Sequence, residues 1–158
     1  MKKLMILAFV FAIISTANAQ VKTPQASTFQ TNTQIVGLTN VELSYSRPSM
    51  KGRKIFGNLV PYNKLWRTGA NANTTISFDE NVMIGGKIIK AGTYAIYTKP
   101  NMTFWEVYFY SDATNSGTPK NWDSEKVVAS VKANVVSLPF KIETFTLQID
   151  DVTNDTAN

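Results

Sequence analysis

Neither cysteine nor histidine occurs in the 158 residues. The first absence removes any disulfide framework, thiolate metal sites and cysteine nucleophiles; the second removes the imidazole of acid–base triads and of zinc or haem ligation. No cofactor is expected, packing alone must stabilise the chain, and the only chemistries left open are paired carboxylates, a hydroxyl–lysine dyad or a hard-cation site. Long apolar runs are missing too, apart from LMILAFVFAII near the start. That run is about half of what a spanning helix needs. Preceded by Lys2 and Lys3 and closed by Ala17-Asn18-Ala19, it reads as a signal peptide, Met1 to Ala19, cleaved before Gln20. The mature chain is expected to be exported to the periplasm or secreted, with no transmembrane segment.

Loss of Lys2 and Lys3 takes the formal charge from +5 to +3. This is too little for a nucleic-acid-binding face. Acid is absent locally, however: no Asp or Glu lies between Glu42 and Asp79, while Arg47, Lys51, Arg53, Lys54, Lys64 and Arg67 fall in that interval. Ile55, Phe56, Leu59, Val60, Leu65 and Trp66 are interspersed with them, so the segment from Arg47 to Asn73 is expected to be an ordered loop packed over a core edge. A one-sign block on an ordered loop points to an acidic or hydroxyl-rich partner.

What surrounds that loop has period two. Val41, Leu43 and Tyr45 alternate with Glu42, Ser44 and Ser46; Ile76 and Phe78 with Thr75 and Ser77; Trp105, Val107 and Phe109 with Phe104, Glu106, Tyr108 and Tyr110. Val82-Met83-Ile84, Gly85-Gly86, Lys87-Ile88-Ile89 predicts a tight β-hairpin, because two glycines supply the positive φ its turn requires. Further strands are predicted at Tyr94 to Thr98, Val127 to Lys132 and Phe145 to Ile149. The expected fold is all-β, an antiparallel β-sandwich with a barrel as the alternative, and no major helix after the signal peptide. Residues 20 to 32 read as a flexible lead-in and 33 to 158 as one domain.

The block PSMKGRKIFGNLVPYNKLWRTGANANTTISF, the hairpin from Ile84 through Tyr94, and Asn121-Trp122-Asp123 together resemble domain-of-unknown-function family 2911, from about Val41 to Asp150. The resemblance implies a compact exported bacterial protein with no established catalytic residues. Members usually continue past the position of Asn158 into a further strand with a Trp-Glu pair. A sheet edge beside Phe145 to Ile149 is therefore expected to lie uncovered, the domain lacking a C-terminal strand.

For function, Arg47, Lys51, Arg53, Lys54, Tyr62, Trp66, Arg67 and Asn71 are the candidate ligand-binding residues. Tyr62, Trp66 and the outward rings of the Phe104 to Tyr110 strand could offer a stacking platform, with Arg67, Asn71 and Asn73 as hydrogen-bond donors. The expected role is a non-catalytic binding module for an envelope polysaccharide or an anionic small molecule. A structural or assembly domain of the envelope is one alternative. A glycoside hydrolase is another, drawing two facing carboxylates from Glu42, Asp79, Glu80, Glu106, Asp123, Glu125 and Glu143. Asp112, Thr114, Ser116, Gly117 and Asp123 fall at calcium-loop offsets, but Lys120 occupies a ligand position and strands flank the run, so a polar turn is the better reading and no metal is expected.

Overall fold

The computed structural model describes residues 23–158; the signal-peptide reading of Met1 to Ala19 and the cleavage point before Gln20 lie outside the described residues. Among the described residues eight strands form: β1 (Thr28–Val36), β2 (Thr39–Arg47), β3 (Thr74–Phe78), β4 (Val82–Ile84), β5 (Lys87–Ile89), β6 (Gly92–Pro100), β7 (Phe104–Tyr110) and β8 (Val127–Asn134). Six make one antiparallel sheet in the order β1-β2-β3-β6-β7-β8, a meander into which the β4–β5 hairpin is inserted. Gly85 and Gly86 take φ of 58° and 80° at its turn, values that cost an L residue with a Cβ but not glycine. The only helical element among the described residues is a 3-10 turn at Ser124–Lys126. The large sheet ends at β1 and β8 and does not close, so the barrel alternative does not form.

Alternation decides what each face of this sheet meets. Val41, Leu43, Tyr45, Phe78, Tyr94, Ile96, Phe109 and Ala129 all point to one face and are buried. Each large side chain fully buried there contributes about 1.5–3 kcal/mol. Two lids complete that core. Val82, Ile84 and Ile89 of the hairpin cover Val41, Phe78, Tyr94, Phe109 and Ala129. Phe145, Leu147 and Ile149 cover Leu43, Tyr45 and Ile96.

That second lid corrects one expectation. Phe145, Leu147 and Ile149 do share a side, but the segment joins no sheet; it crosses the face of one, held by the Ser49–Thr144 bridge and by Tyr45, whose hydroxyl donates to the Leu147 carbonyl and accepts from the Leu147 N–H, each at 3.0 Å. No edge of the large sheet therefore runs beside it. The lead-in also ends earlier than residue 32, because β1 starts at Thr28. Its inward positions Gln30, Asn32 and Gln34 are polar, which hid the strand; backbone pairing with β2 fixes it, and Asn32 donates its amide to the Leu147 carbonyl.

The opposite face is divided. On the β1 to β3 side it carries small polar groups such as the Thr31–Ser44 and Ser77–Thr93 hydroxyl pairs. On the β6 to β8 side, Tyr97 and Tyr110 are covered by Trp122, which stacks on Tyr110 at 4.7 Å between ring centroids.

Candidate functional site

The segment 48–73 is ordered, as its mixed composition suggests, because its backbone is pinned to its neighbours. Met50 N–H donates to Glu143, Asn63 N–H to Pro100, and Trp66 exchanges two backbone hydrogen bonds with Thr98, extending the partners of β6 beyond the end of β3. A reverse turn from Ile55 to Val60 closes on itself through Val60 N–H to Ile55 and Gly57 N–H to Val60. In such an extended pairing consecutive side chains point to opposite sides. Trp66 thus meets the core face and Arg67 the other.

Between this segment and the C-terminal lid lies an open cavity of about 1650 Å³. Its floor is aromatic: Trp66 meets Phe56, Trp105 and Phe145 edge to face, with centroids 6.0, 6.1 and 5.3 Å away. Quadrupole geometry favours such T-shaped contacts over face-to-face stacks. Its walls carry Lys51, Arg53, Lys54, Lys64, Arg67 and Lys141 against a single carboxylate, Glu143. Glu143 Oε1 already accepts the Lys51 backbone N–H at 2.8 Å. The two salt bridges found among the described residues, Lys99–Glu106 and Lys126–Asp112, involve none of these cations.

The expected site residues separate into four groups. Lys51, Arg53, Lys54 and Trp66 line the cavity. Arg53 is partly committed, since its Nε and Nη2 donate to the carbonyls of Met50 and Ser49, which fixes the guanidinium on the rim. Tyr62 lines a smaller adjoining cavity and packs beside Gly57. Arg47 and Asn71 are spent on structure: Arg47 donates to the Phe145 carbonyl, Gln30 Oε1 and Thr146 Oγ1, and Asn71 to Gln25 and Ser27. Arg67 touches the cavity but sends its guanidinium toward Gly117; its Nε is buried without a hydrogen-bond partner.

The single stacking platform does not assemble. Trp105 faces the cavity, whereas Tyr108 and Tyr110 contact Trp122 on the other face of the sheet. Asn73 is there too, buried, donating to the Tyr97 hydroxyl and to the Asn115 carbonyl and accepting from Gly117 N–H. Lys64 could be seen as part of the basic block, but Lys141, Glu143 and Phe145 reach the site from a segment some ninety residues on in the chain, and no spacing rule links them to it.

On the far face and its loop, burial and neighbouring groups perturb ionisation. Burial, and then the hydrogen bond to Glu106 Oε2 and the charge of Glu106, push the Tyr108 phenol up to about 12. Burial likewise raises Tyr97. In the would-be calcium loop, the Thr114 hydroxyl and then Lys126 hold the Asp112 carboxyl down at about 2. That carboxylate is already satisfied by a hydroxyl and an ammonium, and no group of three or more metal-ligating side chains occurs among the described residues. No helix of the described residues is long and apolar enough to cross a membrane.

The model of the family described as protein of unknown function (DUF2911) matches residues 27–158. No curated protein and no solved structure matches.

Proposed function

The chain belongs to that family, proteins of unknown function, and from this premise we propose that it is an exported, non-catalytic binding module for an acidic or hydroxyl-rich ligand. One observation carries the reading: the cavity combines an aromatic floor with cations that no acid neutralises by a salt bridge among the described residues. Rings of this kind stack on the apolar faces of sugars or on acyl chains, while the ammonium groups and the partly free Arg53 fork attract anionic substituents. A hydrolase would need two carboxyl groups facing each other about 5–10 Å apart. Among the described residues Glu143 is the only carboxylate in the cavity wall, and its Oε1 is occupied by a backbone donor.

The test is calorimetric titration of the mature chain with a sulfated cello-oligosaccharide and with its unsulfated parent, at two salt concentrations. The sulfated probe binds and weakens with salt, since exposed charges are screened over about 10 Å at 0.1 M. Replacing Lys51, Arg53 and Lys54 by Gln removes three contacts worth about 0.5 kcal/mol each, a loss of roughly tenfold in affinity, with little change in melting temperature. Equal affinity of parent and triple variant, or no binding of either probe, refutes the reading.

A further inference from the structure

Adjoining the basic cavity is a second one of about 610 Å³, lined among others by Tyr62, Met102, Val136, Leu138 and Phe140. The two share Phe56, Trp105, Val136 and Leu138, so they form one continuous groove, cationic at one end and apolar at the other. Its outer wall is the irregular segment after β8, which contributes Val136, Leu138, Phe140, Lys141 and Ile142. Val136 is 78 % exposed and Phe140 64 %, and Met102 beside them is 72 % exposed. A row of large apolar side chains left in water along a concave surface marks a site for an apolar occupant.

We infer that the groove takes a single acyl amphiphile with an acidic head group: the chain lies along Val136, Leu138, Phe140 and Trp105, and the head reaches Lys54, Lys141 and the free face of Arg53. The inference rests on the proposed anion-binding role and adds the apolar part of the ligand. Charge complementarity selects an anionic head over a neutral one. Concavity selects a single molecule over a bilayer surface, and the apolar volume lies within the range of small-molecule sites, about 300–1,000 Å³.

The experiment titrates saturated carboxylates of eight, twelve and sixteen carbons, below their micellar concentrations, into the mature chain. Dissociation constants fall by about fourfold per methylene until the groove is filled, as burial of apolar groups requires. A hexadecanoic acid brominated midway quenches Trp66 and Trp105 fluorescence by contact, read in Trp122→Phe or, should that variant not fold, as the difference between the parent and Trp105→Phe. The exposed double change Met102→Ser/Phe140→Ser, at residues that line only the apolar end, weakens the sixteen-carbon acid at least tenfold and leaves the sulfated oligosaccharide unaffected. Arg53→Gln/Lys54→Gln weakens both probes. Equal affinity for eight and sixteen carbons, with salt dependence retained, overturns the acyl groove and leaves the anion reading standing. Hexadecanol binding as tightly as the acid, insensitive to salt and to the cation changes, overturns the anionic head and with it the anion reading. Co-sedimentation with anionic phospholipid vesicles without binding of monomeric acid, or a dimer that forms through Leu138 and Phe140 and excludes the acid, overturns the single-molecule site.

Discussion

Tyr45→Phe deletes one oxygen and tests how the C-terminal lid is held. Tyr45 is fully buried, and its hydroxyl both donates to the Leu147 carbonyl and accepts from the Leu147 N–H, at 3.0 Å each. The phenylalanine ring keeps the edge-to-face contact with Phe145, centroids 5.9 Å apart, so packing is left intact. Removal leaves a partly buried donor and acceptor without partners. At about 1 kcal/mol for each hydrogen bond lost, the variant is less stable by about 2 kcal/mol. For a chain of this size that corresponds to a melting temperature lower by about 8 °C. Urea unfolding gives the free energy with an unchanged slope, and hydrogen exchange followed by mass spectrometry localises it: the Leu147 amide loses protection while β6 and β7 keep theirs. A melting temperature within 1 °C of the parent, together with unchanged exchange at Leu147, would show that the lid is held by Phe145, Leu147 and Ile149 alone.

Alkaline titration tests the far face. Because the Tyr108 phenol is pushed up to about 12, the neutral form is favoured in the folded state; its contribution is full below about 10, the unfolded value, and is lost as pH rises from there through about 12. Absorbance at 295 nm therefore retains a late component, and Glu106→Gln, which keeps an acceptor but removes the charge, moves part of it earlier; an unchanged curve contradicts the assignment. Gly57 has φ of 79°, and a Cβ there would lie 2.6 Å from Tyr62 Cε2, whereas at Gly52, φ 71°, nothing is within 4 Å. Gly52→Ala should cost about 1–2 kcal/mol from the backbone term alone and Gly57→Ala clearly more, by urea unfolding; equal costs would mean that the Tyr62 ring swings away freely.

Parity along the chain carried most of the fold. The alternation at Val41 to Ser46 assigns the buried face of β2 correctly, and that at Phe104 to Tyr110 sorts the side chains of β7 onto its two faces, both of them covered, because the side-chain period of a strand is two whatever it pairs with. The Gly85-Gly86 hairpin was equally legible, since turn chemistry is local. β1 escaped because three of its inward residues, Gln30, Asn32 and Gln34, are polar, and Asn32 finds its partner, Leu147, only once the lid is in place. Phe145 to Ile149 shows the converse: alternation predicted which side chains are buried, but not that they would cover a sheet instead of joining one, a choice that rests on a Tyr45 hydroxyl 102 residues away.

Composition and local order alone determine that imidazole and thiol chemistry are impossible and that one loop concentrates positive charge, because both follow from residue identity. Tertiary structure decided which of those charges face a common space. It committed Arg47 and Asn71 to backbone and side-chain acceptors, aimed Arg67 at Gly117, and brought Lys141, Glu143 and Phe145 to the rim beside Lys51 and Arg53. The physical reason is that a side chain's direction along an irregular loop depends on the contacts that pin its backbone. Here those contacts, Met50 with Glu143 and Trp66 with Thr98, join residues far apart in the chain.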